Sequence, residues 1–289
     1  MSLDISLDRA APLQQRTGIL FLREFVAPLE RAWHYRDLIR AVVRRELSAR
    51  FKGSILGWLW AVFGPLVMLT FYTIIFSNAV GVPKSAASGG VKTYALSIFA
   101  GLIVFNLFSE IAYRSPGLLQ EHVNFIKKSI FPSETLAWTA TIRALVYAGI
   151  SFAVLLLFQI VVTGGLPWSI LLLPLVVIPF TLFLLGASWF LMALGSFTRD
   201  VSFLMTSIIP VMMFATPIFY SFTDVPEKAR IYFRLNVIGN YIEMIRDLLL
   251  HGQLPDLTVY AGTVLVSLLI FRFGYRFFMR YKSIFVDVI

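Results

Sequence analysis

Polar and apolar positions follow two rhythms between Arg31 and Phe76 (RAWHYRDLIRAVVRRELSARFKGSILGWLWAVFGPLVMLTFYTIIF). In the first half Arg36, Arg40, Arg44 and Ser48 recur at every fourth position. Leu38/Ile39, Val42/Val43 and Leu47 form a second stripe, with Tyr35 and Phe51 at its ends. This spacing predicts an amphipathic helix. A basic helix of this kind lies along a membrane surface, arginines toward anionic headgroups and aliphatic side chains in the acyl boundary. After Lys52 the charge stops; Gly53 and Ser54 turn the chain, and residues 55–80 are long enough to cross a bilayer.

Further apolar runs predict spans at about 94–112, 134–162, 168–196, 201–221 and 257–275, making six. Residues 1–30 read as a loosely ordered or surface-lying lead-in, and 81–93 (GVPKSAASGGVKT) as a Gly/Ser/Pro loop. In the polar, basic segment 113–133, Ser115 and Pro116 suit the N-cap and N1 positions of a short helix over about 116–130, which Pro132 would stop. Pro174 and Pro179 mark expected kinks in the fourth span, and Thr198–Asp200 a tight turn before the fifth. Within 222–256, Ile242, Ile245, Leu248 and Leu249 share a helical face opposite Glu243, Arg246 and Asp247.

Composition agrees with lipid burial. Hydrophobic residues make up 58% and charged residues only 14%, against about 25% charged in soluble domains. The expected class is therefore an all-α integral membrane protein of six transmembrane helices, with little room for a separate soluble domain. Charge sets the orientation. With the N-terminus inside, the cytoplasmic segments hold 18 Arg/Lys and the outer segments 6, and Arg143 lies within a span. The positive-inside rule then puts both termini in the cytoplasm. The net charge of +9 follows from this topology and does not indicate nucleic acid. Ten of the basic residues precede residue 54 with no long apolar core among them, which argues against a cleavable signal.

The chemistry is defined mostly by what is missing. There is no cysteine, and His34, His122 and His251 each stand alone, so a metal site is not expected. No Gly-x-x-x-x-Gly-Lys-Ser/Thr, Asp-x-Asp or Gly-x-Ser-x-Gly string occurs. An enzyme, such as a membrane glycosyl- or acyltransferase, finds no catalytic group here. The intramembrane charges are Glu110 and Arg143, either a functional site or a structural pair.

The string RRELSARFKGSILGWLWAVFGPL resembles the start of the permease subunit of ATP-driven surface-polysaccharide exporters, the O-antigen and teichoic-acid permease family. NFIKKSIFP is similar to that family's first cytoplasmic loop, TPIFYS followed by VP to the outer end of its fifth span, and YKSIFVDVI to its tail. Asn236-Val237 departs from the Asn-Pro expected there. The resemblance implies a homodimer of six-span subunits carrying two separate ATPase subunits, which hold ATP and Mg; this chain holds no cofactor. It implies export of a glycan on a polyprenyl-diphosphate lipid through a channel between the permeases. A drug or small-lipid exporter permease is the nearest alternative.

On that resemblance the chain divides into a cytoplasmic segment 1–53 with its interface helix and a six-span domain 54–289. The loop 113–133 would contact the ATPase through Glu121, Asn124, Lys127 and Lys128, and the segment 222–256 would gate the outer end. Arg44, Arg45, Arg50 and Lys52 either only anchor the interface helix to anionic lipid or also bind the lipid diphosphate. Tyr72, Phe76, Phe214, Phe219 and Tyr220 are candidates to line the channel, since aromatic faces suit sugar C–H surfaces; lipid contact or packing is the alternative for each.

Overall fold

The computed structural model describes residues 25–78, 90–123, 132–220 and 234–288, and every regular element among them is helical. In chain order these are α1 (25–34), α2 (Arg36–Arg50), α3 (Leu59–Asn78), α4 (Gly90–Arg114), a 3-10 turn (Ser115–Gly117), α5 (Leu118–Glu121), α6 (Thr135–Thr163), a 3-10 turn (Trp168–Leu172), α7 (Leu173–Phe197), α8 (Asp200–Ala215), α9 (Val237–Arg246), a π turn (Asp247–His251) and α10 (Leu257–Val288). Four stretches are long and apolar enough to span a membrane: Lys92–Glu121, Thr135–Thr163, Trp168–Phe197 and Leu257–Phe285. The chain is an all-α membrane protein. The other two expected spans appear as shorter apolar helices, Leu59–Ile75 and Asp200–Ala215.

The fifth expected span ends early for a local reason. Thr216 precedes Pro217 and is extended (φ −100°, ψ 139°), as the clash of a proline ring with the preceding residue requires. The sixteen residues of α8 rise about 24 Å, less than the ~30 Å hydrocarbon core. The last helix does the reverse and runs through the basic tail to Val288. Phe278 and Phe285 are buried there, and Lys282 pairs with Glu134.

The core is centred on α4, of which most residues from Tyr94 to Ala112 are buried. The most extensive helix pair is α7 with α10, and glycine makes it possible. A Cβ on Gly274 would lie 1.9 Å from the Gly186 carbonyl oxygen, and one on Gly186 2.4 Å from that of Ile270. The two backbones therefore touch directly. By contrast α3 buries almost nothing: Leu59, Phe63, Val67, Phe71 and Ile74 are exposed, and among its described side chains only Leu69 is enclosed. Phe203, Val211 and Phe214 leave a similar face on α8.

The amphipathic helix sits where its periodicity places it, but against protein as well. Ile39 and Val43 are buried, and α2 packs on α6. The arginine stripe faces outward, with Arg36, Arg40 and Arg44 exposed. Asp37 in the first turn and Arg50 in the last complement the helix dipole. Gly53 turns the chain at φ 86°.

Candidate functional site

At the end of the bundle where α2 lies, side chains from four elements meet around Glu46. Its carboxylate accepts from Arg114 at 2.7 Å and faces Arg143 and His122, each at 3.6 Å. Arg143 in turn donates to Glu110 at 2.7 Å, and Arg114 reaches Glu121 at 3.4 Å. Burial pushes the Glu46 carboxyl up. The hydrogen bonds from His122 and Arg114 and the charges of Arg114 and Arg143 outweigh it and bring the group down to about 2. The cluster thus ties the surface helix to the ends of α4 and α6 and to the turn after α4. Of its members the sequence singled out the Glu110–Arg143 pair and Glu121. Glu46 was missed because it reads as one acid in a basic helix, and its Arg114 partner lies 68 residues away.

A second buried carboxylate does similar work. Glu134 accepts from Arg31 at 2.7 Å and from Lys282, and its carbonyl accepts from the Trp189 indole at 3.0 Å. It joins α1, the start of α6, α7 and the tail of α10.

The four residues of the expected basic belt have different surroundings. The Arg50 guanidinium stacks on Tyr147, 4.2 Å from its ring centroid, and lies 4.0 Å from Glu110. Arg44 borders a shallow groove with Trp58 and Ile142, whereas Arg45 and Lys52 are exposed. Arg50, Glu110 and Tyr72 share a slot of about 540 Å³ between α3, α4 and α6. Phe214, Phe219 and Tyr220 come together where α8 ends: the rings of Phe214 and Phe219 are 6.2 Å apart, and the Tyr220 hydroxyl donates to the Phe214 carbonyl at 3.1 Å. The Phe76 side chain lies outside the described residues.

The loop 113–133 is only partly as expected. Helix begins at Ser115 as a 3-10 turn, but Ser115 does not cap it. Its hydroxyl is buried and donates to Ser188 at 2.8 Å, which pins the turn to α7. A Cβ on the facing Gly195 would lie 2.2 Å from the Pro116 carbonyl oxygen, so this contact too is backbone to backbone. Glu121 is exposed at the end of α5; Asn124, Lys127 and Lys128 lie outside the described residues.

At the opposite end of the bundle the structure corrects one assignment. Arg246, expected on the polar face with Glu243 and Asp247, is only 3% exposed. It donates to the carbonyls of Ser97 (3.0 Å), Pro217 (2.8 Å), Tyr220 (3.4 Å) and Ile218. The bends at 216–220 leave carbonyls without helical donors, and a buried carbonyl needs one. The predicted apolar face is buried as expected, with Ile242, Ile245, Leu248 and Leu249 enclosed. Asn236 caps α9, its side-chain oxygen accepting from the backbone N–H groups of Ile238 and Gly239, both at 3.1 Å. Valine at 237 in place of the expected proline therefore leaves the helix start intact.

The family defined as ABC-2 type transporter matches residues 37–250, from the first turn of α2 to the π turn after α9. The chain belongs to that family. Over 250 residues it is 28% identical to an O-antigen export system permease protein RfbA of Klebsiella pneumoniae, covering 83% of this chain and 93% of that protein. An O-antigen export system permease protein RfbA of Myxococcus xanthus is 23% identical over 82% of this chain and 90% of its own length. The polysialic acid transport protein KpsM of Escherichia coli is 24% identical over 82% and 92%. In this ABC-2 chain the matched region contains the whole Glu46 cluster, the slot and the Arg246 clamp.

Proposed function

We propose that this chain is the permease subunit of an ATP-driven exporter moving a polyprenyl-diphosphate-linked polysaccharide of O-antigen type outward across the inner membrane. The observation that carries this reading is the likeness, over more than four-fifths of both chains, to permeases named for O-antigen and polysialic acid export. On this reading the chain crosses the membrane six times with both termini inside. It pairs with a second copy and with ATPase subunits that bind ATP and Mg. The apolar faces of α3 and α8, uncovered in the single chain, meet across the two copies and form the channel wall. Tyr72, Phe76, Phe214, Phe219 and Tyr220 supply aromatic surface to the glycan, and segment 222–256 gates the outer end.

The mechanism follows the contacts around Glu46. The ATPase presses on the loop 113–133 through Glu121, Asn124, Lys127 and Lys128. Arg114 and His122 at the start of that loop hold Glu46 on α2, so a displacement of the loop moves α2 and the adjoining α3 with it. Arg44, Arg45, Arg50 and Lys52 meet the lipid diphosphate at the entrance. The test is reconstitution of the chain with its co-purifying ATPase in vesicles holding a lipid-linked glycan. The expected result is ATP-dependent appearance of glycan on the far side. ATPase activity that answers to small amphiphiles and not to the glycan lipid would assign a drug or small-lipid exporter instead. Purification without any ATPase would remove the reading.

A further inference from the structure

The slot beside α3 is large enough to hold a ligand. Its volume of about 540 Å³ falls within the roughly 300–1,000 Å³ of ligand pockets. It is built with two unlike ends. One end is polar, with Arg50, Asn106, Glu110 and Tyr147 on its wall. The rest of the wall is mostly apolar, Met68, Phe99 and Leu102 among it, with Tyr72 and Ser151 as its further hydroxyl-bearing residues. On α4 the lining runs from Glu110 back to Phe99, eleven residues or about 16 Å at helical rise.

The polar end has unused capacity. The Tyr147 hydroxyl is buried with no hydrogen-bond partner among the described residues, an unfavourable state for a buried donor. The Asn106 amide, exposed on α4, makes no side-chain hydrogen bond among the described residues. Arg50 lies 4.0 Å from Glu110, beyond hydrogen-bond range, while Arg143 takes that carboxylate at 2.7 Å. A guanidinium, a phenol and an amide therefore line the slot with donors to spare, and the slot is long enough for a chain.

We propose that the slot holds a phosphate-headed lipid. Its phosphate oxygens accept from Arg50, Tyr147 and Asn106, and its hydrocarbon chain lies along Met68, Leu102 and Phe99. Glu110 does not oppose the phosphate, because Arg143 neutralises it. Two sources carry this chemistry, a bilayer phospholipid and a polyprenyl phosphate. The site shares Arg50 with the export reading but depends on neither the glycan nor ATP.

Gly64 provides the test, since it lines the slot and a Cβ on it meets nothing within 4 Å. Gly64→Phe fills the space without touching the backbone and adds helix propensity. The full-length chain, with any subunit that accompanies it, is placed in nanodiscs containing either phosphatidic acid or a polyprenyl phosphate, each with a diazirine in its tail. After irradiation, adducts are located by mass spectrometry. The expected result is adducts on residues 99–106 or 144–151 with at least one reagent, reduced fivefold or more in Gly64→Phe and in Arg50→Gln. Whichever reagent labels identifies the source. Tyr147→Phe, which removes only the hydroxyl, should reduce labelling as well and keeps the test open if Gly64→Phe fails to fold. Absence of slot adducts with both reagents overturns the proposal, as does wild-type labelling in a folded Gly64→Phe. Labelling untouched by both Arg50→Gln and Tyr147→Phe overturns the headgroup assignment. No ATPase turnover or glycan enters the measurement, so failure of the export reading leaves it unaffected.

Discussion

Glu46→Gln should loosen α2 from the bundle without unfolding the bundle. The carboxylate holds Arg114 at 2.7 Å and lies 3.6 Å from both Arg143 and His122. Each opposite charge at such range is worth about 4 kcal/mol gross at an effective dielectric near 20, and the desolvation of buried ions offsets most of it. Removing one partner of a buried pair costs about 3–5 kcal/mol when the other charge is stranded. Neither arginine is stranded here, because Arg114 keeps Glu121 and Arg143 keeps Glu110. The loss is therefore nearer that of one charge-assisted hydrogen bond, about 2 kcal/mol, or roughly 30-fold in the opening equilibrium of α2. Hydrogen exchange in nanodiscs measures this directly. The amides of residues 42–48 should exchange about 30-fold faster in Glu46→Gln, while those of α7 stay unchanged. Acceleration of less than threefold would refute the clamp and leave α2 held by Ile39 and Val43 alone.

Four further outcomes are expected. Acid should release α2 in the wild type. The folded Glu46 carboxyl, held at about 2 against an ordinary 4.5, contributes fully above about pH 4.5 and loses its contribution as pH falls toward 2; a release midpoint above pH 5, read from an α2–α6 spin-label distance, would contradict this. Among Arg44→Lys, Arg45→Lys and Arg50→Lys, at least one should lose export tenfold or more at normal membrane levels, because lysine keeps the charge but not the bidentate grip on phosphate; normal export in all three makes the belt an anchor only. Gly274→Val should abolish folded protein in thermal size-exclusion profiles, since its Cβ would sit 1.9 Å from the Gly186 oxygen; a folded variant of unchanged stability would disprove the backbone contact. In intact cells Ser88→Cys and Gln253→Cys should react with an impermeant thiol reagent and Ser129→Cys should not; labelling of Ser129→Cys from outside inverts the topology.

Hydropathy was enough to place the apolar segments in order, because lipid burial acts on whole stretches of chain. Their ends depend on contacts that periodicity does not carry. Thr216 leaves the helix because of its proline neighbour, which was legible in TPIF, while α10 runs on through a tail that read as merely basic. Arg143 with Glu110 could be paired from the sequence because both stood out as charges in apolar surroundings. Glu46 and Glu134 could not, since each sits among polar neighbours and finds its partners across tens of residues. Arg246 shows the limit of a helical wheel. It was drawn on the polar face, but it is buried, because its acceptors belong to Ser97 and to the bends at 217–220. The slot beside α3 left no pattern at all, being the space that small residues of α3 and α6, Gly64, Ala144 and Ala148 among them, leave beside α4.

The glycine crossing of α7 and α10 has a mechanical consequence. Where two backbones touch with no side chain between them, neither helix can turn or slide without colliding with the other, because interiors so packed repack in steps and do not deform smoothly. Gly195 extends the same contact to the turn after α4. These elements form a stator. α3 and α8 stand outside it: α8 touches α7 and the turn, α3 packs on α4 and α6, and each leaves one face bare. On the export reading proposed above, the bore is set by residues on these two helices, with the rest of the chain acting as a fixed housing.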